Sequence, residues 1–314
     1  MEESILIAVG GNSLIRAGQR GTSAEQQLNA RLTAERIAEI ALLYRKLIVT
    51  HGNGPQVGAQ LLRSEIGSGQ TYAIPLDVCV AMTQGEIGFA LQSALQSVLA
   101  KREIHRPVVS FLTLVVVDKN DPAFLKPTKP VGPFYSKKTA EHKRSQLGWS
   151  IIEDASRGYR RVVASPLPKE IVELQTLREC LEKEIIVIAA GGGGIPVLCE
   201  GNEIRGVEAV IDKDRASSLL ASKLGIEHLL ISTEVPEVYT NFRRPDQAAI
   251  RKATLKEMQQ MLAANYFAEG SMRPKIEAAI DFLSAGGTTV TITDPEHIIE
   301  ALHGDAGTVI VRSS

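Results

Sequence analysis

Nearly continuous apolar, β-branched runs punctuate the chain: Ile5-Leu6-Ile7-Ala8-Val9, Leu47-Ile48-Val49-Thr50 and Ile185-Ile186-Val187-Ile188. They do not alternate with polar residues, so they read as strands buried on both faces of a parallel sheet. Between them the apolar period changes to that of a helix. From about Ala24 to Tyr44 the residues Leu28, Leu32, Ile37, Ile40 and Leu43 recur near helical spacing. A helix carrying Val57, Leu61 and Leu62 follows the second run, and a further helix covers roughly Pro75 to Leu99. Val108 to Val117 reads as one strand. A helix opens at Asp212, a favourable N-cap, and ends before Gly225. Later strands are expected at Leu229 to Ile231, Thr288 to Ile292 and Thr308 to Val311. Strand and helix in alternation predict an α/β fold, with a mostly parallel sheet and helices on both faces.

One stretch breaks this alternation. From Val117 to about Pro168 there is no long apolar run, but there are Pro122, Pro127, Pro130 and Pro133, then Lys137-Lys138 and Arg160-Arg161. The segment reads as an excursion from the sheet, either a lid or a small subdomain. At 314 residues the chain exceeds what one small core needs, so one large domain over 1–314 with a subdomain inserted at 117–168 is expected.

Composition narrows the partners. Hydrophobic residues make up 44% and charged residues 23%, as in ordinary globular chains, and the net charge is −1. No overall basic field points to nucleic acid or to a membrane surface, and no apolar run reaches the length of a membrane span. Met1-Glu2-Glu3-Ser4 leads into a strand without a basic, apolar signal region. Cys79, Cys180 and Cys199 are odd in number and have no C-x-x-C spacing. A reduced, cytoplasmic setting is therefore expected, and structural zinc is not.

Candidate chemistry begins where the apolar runs end. Gly10-Gly11-Asn12, Gly52-Asn53-Gly54 and Gly191-Gly192-Gly193-Gly194 each follow one of the three strands. Glycine turns at strand ends let backbone N–H groups approach an anion with no Cβ in the way, so the three loops are candidate walls of one anion site. Any single loop can also be a plain tight turn. None fits G-x-G-x-x-G, since the third glycine would fall on Val57, and none continues into G-K-[ST]. Asp212-Lys213-Asp214 opens a helix, where a lysine is unfavourable unless an anion neutralises it; the segment is either a solvated cap or a phosphate-facing lysine beside an organising aspartate. Gly270-Ser271-Met272-Arg273-Pro274-Lys275 places a second lysine in a first helical turn, again open to a plain surface reading. By composition alone, Lys129 in its proline-rich loop reads as solvated. His51 reads as structural, no histidine pair has metalloprotease spacing, and no G-x-S-x-G elbow exists.

Taken together these motifs resemble the carbamate kinases of the amino acid kinase superfamily, over essentially the whole length. The matching segments are Ala8-Val9-Gly10-Gly11-Asn12, His51-Gly52-Asn53-Gly54-Pro55-Gln56-Val57-Gly58, Pro75-Leu76-Asp77, Thr83-Gln84-Gly85, Asp121-Pro122-Ala123-Phe124, Pro127-Thr128-Lys129-Pro130-Val131-Gly132-Pro133-Phe134-Tyr135, Arg161-Val162-Val163-Ala164-Ser165-Pro166, Gly191 to Pro196, Gly206 to Asp214, and Gly270-Ser271-Met272. The resemblance implies a three-layer αβα sandwich, a protruding subdomain and a homodimer. It implies reversible phosphoryl transfer between ATP and carbamate, giving ADP and carbamoyl phosphate, and suggests ATP synthesis in arginine or purine (allantoin) catabolism. It assigns Lys129, Lys213 and Lys275 to the phosphoryl group and Asp214 to organising them. It places Gly10, Gly11, Asn12 and Gly191 to Gly194 toward the phosphoryl group, and Gly52, Asn53 and Gly54 toward carbamate. Asp212, Tyr239 and Met272 are expected near the nucleotide. Mg2+ is expected to ride on the nucleotide phosphates, with no dense carboxylate cage. Arg273 stands where the family commonly has glycine, Ala190 where serine is frequent and Glu234 where aspartate is frequent. Two other readings are a superfamily kinase acting on a different small carboxylate, and a non-catalytic nucleotide or metabolite sensor on the same scaffold.

Overall fold

The computed structural model describes residues 2–11, 14–16, 18–154, 158–267 and 272–313. In the first half the elements are β1 (Glu2–Val9), α1 (Ser23–Leu43), β2 (Tyr44–His51), α2 (Gly54–Gly67), α3 (Leu76–Lys101), β3 (Val108–Ser110), β4 (Leu114–Val117), β5 (Lys129–Tyr135) and α4 (Lys137–Leu147). There follow β6 (Ile151–Asp154), β7 (Gly158–Val163), β8 (Pro168–Ile171), α5 (Leu174–Glu182), β9 (Ile186–Ile188), β10 (Ile195–Glu200), β11 (Glu203–Gly206), α6 (Lys213–Leu224) and β12 (His228–Ser232). The chain closes with β13 (Val238–Thr240), β14 (Ala248–Ile250), β15 (Lys252–Thr254), α7 (Leu255–Ala263), α8 (Met272–Ser284), β16 (Thr289–Thr293), α9 (Ile298–Leu302) and β17 (Thr308–Val311).

The central sheet has eight strands in the order β15-β17-β16-β12-β1-β2-β9-β3. All its pairings are parallel except β16 with β17. Alternate residues of β1 serve opposite faces. Leu6 and Ala8 pack with α5, α6, α7 and α8, while Ile5, Ile7 and Val9 pack with α1, α3 and α9. This double burial is why the strand sequences do not alternate apolar with polar. The fold is thus a three-layer αβα sandwich around a mostly parallel sheet. Because β1, β2 and β9 are neighbours in that sheet, the three glycine loops that follow them leave from one edge.

Two expectations change. The stretch from Val108 to Val117 is not one strand. The chain leaves the central sheet after β3 and enters a four-stranded sheet, β11-β10-β4-β8, at β4. The break is pinned at Thr113, whose N–H is taken by Gln84 Oε1 and whose Oγ1 accepts from the Ala190 N–H. On α1 the buried stripe is not the leucines: Leu28 and Leu32 are exposed, and the inner face is Ala30, Ala34, Ala38 and Ala41 with Ile37 and Ile40. Small residues let α1 lie close against the sheet and α3, leaving the long side chains outside.

Residues between β4 and β8 build a separate three-stranded sheet, β5-β7-β6, joined by α4. Ser136 caps α4 and Gly148 ends it in the left-handed conformation. Its sequence, KKTAEHKRSQL, is too polar to reveal a helix by periodicity. It docks through Lys143, which pairs with Glu65 on α2 and lies about 5 Å from the Tyr135 and Trp149 ring centres. Lys129, the first residue of β5, stands on the side of this unit that faces the central sheet's glycine loops.

Candidate active site

The loops, α6, α8 and β5 enclose a cavity of about 280 Å3. Gly11, Gly52, Asn53, Gly54 and Pro55 form one wall, Lys129, Pro130 and Val131 another, and Gly192, Val210 and Ile211 a third. Asp212, Lys213, Asp214, Pro274 and Lys275 line the remaining side.

Its charges are arranged by two helix starts. Asp212 caps α6 in an extended conformation, and its Oδ1 accepts from the backbone N–H of Asp214 (3.0 Å) and Arg215 (3.4 Å). The other oxygen, Oδ2, accepts from Lys129 Nζ at 2.8 Å. One carboxylate therefore both starts the helix and receives the lysine that arrives from β5. Lys213 reaches back under the sheet edge, where its ammonium donates to the carbonyls of Ala8 (3.1 Å) and Val9 (3.2 Å) and pairs with Asp214 Oδ1 at 3.1 Å. Lys275, in the first turn of α8, pairs with Asp214 Oδ2 at 3.2 Å. Asp214 is thus a buried hub between two lysines.

These neighbours set the protonation states. Burial pushes the Lys213 ammonium down, and the positive charge of Lys275 adds to that, while Asp214 opposes both. Burial would raise the Asp214 carboxyl, but Lys213 and Lys275 outweigh it and hold it down to about 2. Lys275 also loses solvation, yet Asp214, Asp212 and Glu234 raise it above the ordinary lysine value. The hub therefore stays ionised at neutral pH. Two cations converge beside the glycine loops with one carboxylate between them, an excess of positive charge suited to an anion with several oxygens.

A polar scaffold fixes the loops. Gln84 on α3 donates to the Gly191 carbonyl (2.9 Å) while accepting from Thr113. Asn53 Nδ2 donates to Thr83 Oγ1 (2.9 Å), one residue before Gln84. His51 is fully buried and shares a 3.1 Å contact between Nδ1 and the Gly52 carbonyl; burial, aided by Lys213, lowers it to about 4, so it is neutral. The tetraglycine turn is packed hard between these groups. A Cβ on Gly191 would lie 2.3 Å from His51 Nε2, one on Gly192 2.0 Å from Asn53 Nδ2, and one on Gly193 2.4 Å from the Ile211 carbonyl oxygen.

The sequence-derived candidates therefore divide. Lys129, Asp212, Lys213, Asp214, Lys275, Gly11, Gly52, Asn53, Gly54 and Gly192 meet at the cavity. Gly10, Gly191, Gly193 and Gly194 do not line it. A Cβ on Gly10 would lie 3.1 Å from the Ser232 carbonyl oxygen, and one on Gly194 2.1 Å from a Val115 methyl. Tyr239, on β13, stacks at 5.9 Å on Phe242, and Met272 packs its side chain against the core at the start of α8; neither lines the cavity. Asn12, Gly270 and Ser271 lie outside the described residues. No local sequence signal marks Thr83, Gln84 and Thr113 as supports, although Thr83-Gln84 lies in one of the matching segments. Of the departures from the family pattern, Ala190 adopts a left-handed φ of 49°, with its N–H held by Thr113, and Arg273 is turned onto Glu277 at 3.0 Å.

Known proteins agree with this architecture. The model of the amino acid kinase family matches residues 3–294. A carbamate kinase of Thermococcus kodakarensis is 46% identical over 312 residues, covering 98% of this chain and 99% of the relative. One from Trichomonas vaginalis is 43% identical over 310 residues, covering 98% of this chain and 99% of the relative. Among solved structures, carbamate kinase from Giardia lamblia bound to AMP-PNP superposes with a TM-score of 0.93 at 39% identity, covering 99% of each chain. The chain belongs to the amino acid kinase family, in its carbamate kinase branch, and is a kinase.

Proposed function

We propose that this protein transfers a phosphoryl group reversibly between ATP and carbamate, and that carbamoyl phosphate and ADP are its substrates in the physiological direction. The observation that carries the reading is the pairing of Lys213 and Lys275 on one buried carboxylate, with Lys129 arriving on Asp212 beside the loops at Gly11 and Gly52. In the ATP-forming direction the bond between phosphorus and the carbamate oxygen breaks. A new bond forms from phosphorus to a terminal oxygen of the ADP β-phosphate, and carbamate leaves. Such transfer needs in-line placement and neutralised charge rather than a covalent protein intermediate.

Each residue then has a part. Backbone N–H groups of Gly11 and Gly192 face the phosphoryl group, and the Gly52 to Gly54 turn receives carbamate. Lys275 contacts the phosphoryl oxygens. Lys213, braced on two carbonyls, supplies fixed charge and gives up one of them to a phosphoryl oxygen in the transition state. Asp214 keeps both ammonium groups in place and charged. Lys129 leaves Asp212 for the phosphoryl group when substrate fills the cavity, so the unit containing β5, α4, β6 and β7 acts as a lid. Tyr239 and Met272 are proposed on the nucleotide side. The AMP-PNP bound by the Giardia relative supports a nucleotide site in this fold.

Among the described residues no cluster of three or more His, Cys, Asp and Glu side chains is placed to hold a metal ion. Asp212 and Asp214 are both committed to lysines. Mg2+ is proposed to arrive on the nucleotide phosphates, where it would neutralise phosphate charge.

Two copies are proposed to pair through α3. Val78, Met82 and Phe89 recur there at helical spacing on the outer face, with Phe89 74% exposed. No helix among the described residues is long and apolar enough to cross a membrane; a cytoplasmic location is proposed.

The test is ATP formation from ADP and carbamoyl phosphate, with and without Mg2+, beside parallel reactions offering acetate, aspartate or glutamate with ATP. Turnover confined to the carbamoyl pair and dependent on Mg2+ supports the reading. Preference for another carboxylate, or nucleotide binding without turnover, overturns it.

A further inference from the structure

The site depends on two helix starts staying in register. The apolar contact between α6 and α8, through Ala216, Ile276 and Ala279, is non-directional and tolerates sliding. A directional tie lies beside it. Glu277 Oε2 accepts from Arg215 Nη2 across the helix pair at 2.5 Å, and its Oε1 accepts from Arg273 Nε within α8 at 3.0 Å. Arg273 Nη1 also donates to Asn265 Oδ1, just beyond α7, at 3.1 Å. Arg215 directly follows Asp214, and Glu277 comes two residues after Lys275.

We propose that Glu277 is a positioning residue, clamping the first turns of α6 and α8 so that Lys213 and Lys275 meet on Asp214. Both oxygens of Glu277 are used, and its partners are guanidinium groups, whose planar donors fix direction as well as distance. The opposite flank of α6 is already held: Ser217 Oγ donates to the Lys213 carbonyl (2.8 Å) and lies 2.7 Å from Thr50 Oγ1 on β2. With Ser217 securing α6 to the sheet, the carboxylate of Glu277 secures α8 to α6. It does not line the cavity; it acts through the lysines. Arg273, two residues before Lys275, becomes part of the clamp and is drawn away from the cavity. A displacement of about 1 Å in such a site costs up to roughly 100-fold in rate, so a modest slide of α8 is enough to be felt.

The inference rests on Lys213 and Lys275 serving the phosphoryl group, and the test separates the two. Full-length Glu277→Ala, Glu277→Gln, Arg215→Ala, the Arg215→Ala/Glu277→Ala pair and Lys213→Ala are compared in ATP formation from ADP and carbamoyl phosphate. Glu277→Ala is expected to lower kcat about tenfold, with KM for both substrates within about twofold. Glu277→Gln, which keeps the shape and one neutral acceptor, is expected to lose less. The double variant should be no slower than its worse parent, because both changes break one tie. The inference is overturned if the Glu277 variants keep kcat within about twofold of the wild type while Tm falls, or if the two losses multiply. Should Glu277→Ala fail to fold, the near-isosteric Glu277→Gln carries the same criteria. Full turnover by Lys213→Ala would instead sink the assignment of the lysines. An inactive Lys213→Ala beside fully active Glu277 variants sinks the clamp alone.

Discussion

Single residues hold the site's charges where water cannot screen them. Asp214 is ionised because two lysines outweigh the cost of its burial. Asp214→Asn removes the carboxylate that lies 3.1 and 3.2 Å from the two ammonium groups, and is expected to lower kcat by roughly 100-fold, measured in ATP formation. His51 gives a pH prediction with a definite sign. Its ordinary value of 6.5 is lowered to about 4 by burial, aided by Lys213. Between those values the unfolded chain binds the proton and the folded chain does not. Stability from this ring is therefore full above pH 6.5 and is lost as the pH falls toward 4. The amount is on the order of 3 kcal/mol. Thermal melts across that range should show the loss, and His51→Gln should flatten it. A profile unchanged by the substitution would remove His51 as its cause.

Elements carry these residues to one place, and the glycine loops show two different reasons for glycine. At Gly192 the φ is +65° and a Cβ would lie 2.0 Å from Asn53 Nδ2. Gly192→Ala should displace Asn53 and cost at least about 2 kcal/mol, seen in denaturant midpoints. At Gly54 a Cβ would meet nothing within 4 Å, and the residue opens α2. Gly54→Ala should leave Tm within a few degrees and, on the proposal that this turn receives carbamate, raise KM for carbamoyl phosphate. Equal melting losses for both would contradict the distinction.

What the sequence disclosed about the elements follows from how local each signal is. Asp212 and Gly225 bracket α6 in the structure as their chemistry required, because a cap is decided within a few residues. The strands entering the glycine loops were legible because burial on both faces leaves no polar alternation. The supports were not legible. Gln84 bridges to Thr113 and Gly191, 29 and 107 residues away, and Arg215 meets Glu277 across 62 residues. Nothing local distinguishes such a glutamine or glutamate from a solvated one. The alanine stripe of α1 was misread for a related reason: leucines look like core, but close helix packing on the sheet selected the smaller residues.

Across the whole molecule, the sheet edge supplies fixed walls and the unit between β4 and β8 supplies Lys129. That unit is held to α2 by the Glu65 carboxylate, which accepts from Tyr135 Oη at 3.2 Å and pairs with Lys143. The sequence marks this stretch as a lid or small subdomain leaving the sheet, but no periodicity marks α4 within it. Lys129→Ala should lower kcat by roughly 100-fold with the melting curve little changed, because the lysine's partner, Asp212, keeps its helix-capping role. In sedimentation, the wild type should run as a dimer and Phe89→Asp as a monomer; a monomeric wild type would contradict pairing through α3. The central claim is that phosphoryl transfer occurs where Lys213 and Lys275 meet. It is tested most directly by kcat for ATP formation from ADP and carbamoyl phosphate in folded Lys213→Ala and Lys275→Ala. Losses of roughly 100- to 1000-fold are expected in each. Full turnover by either folded variant would contradict the claim.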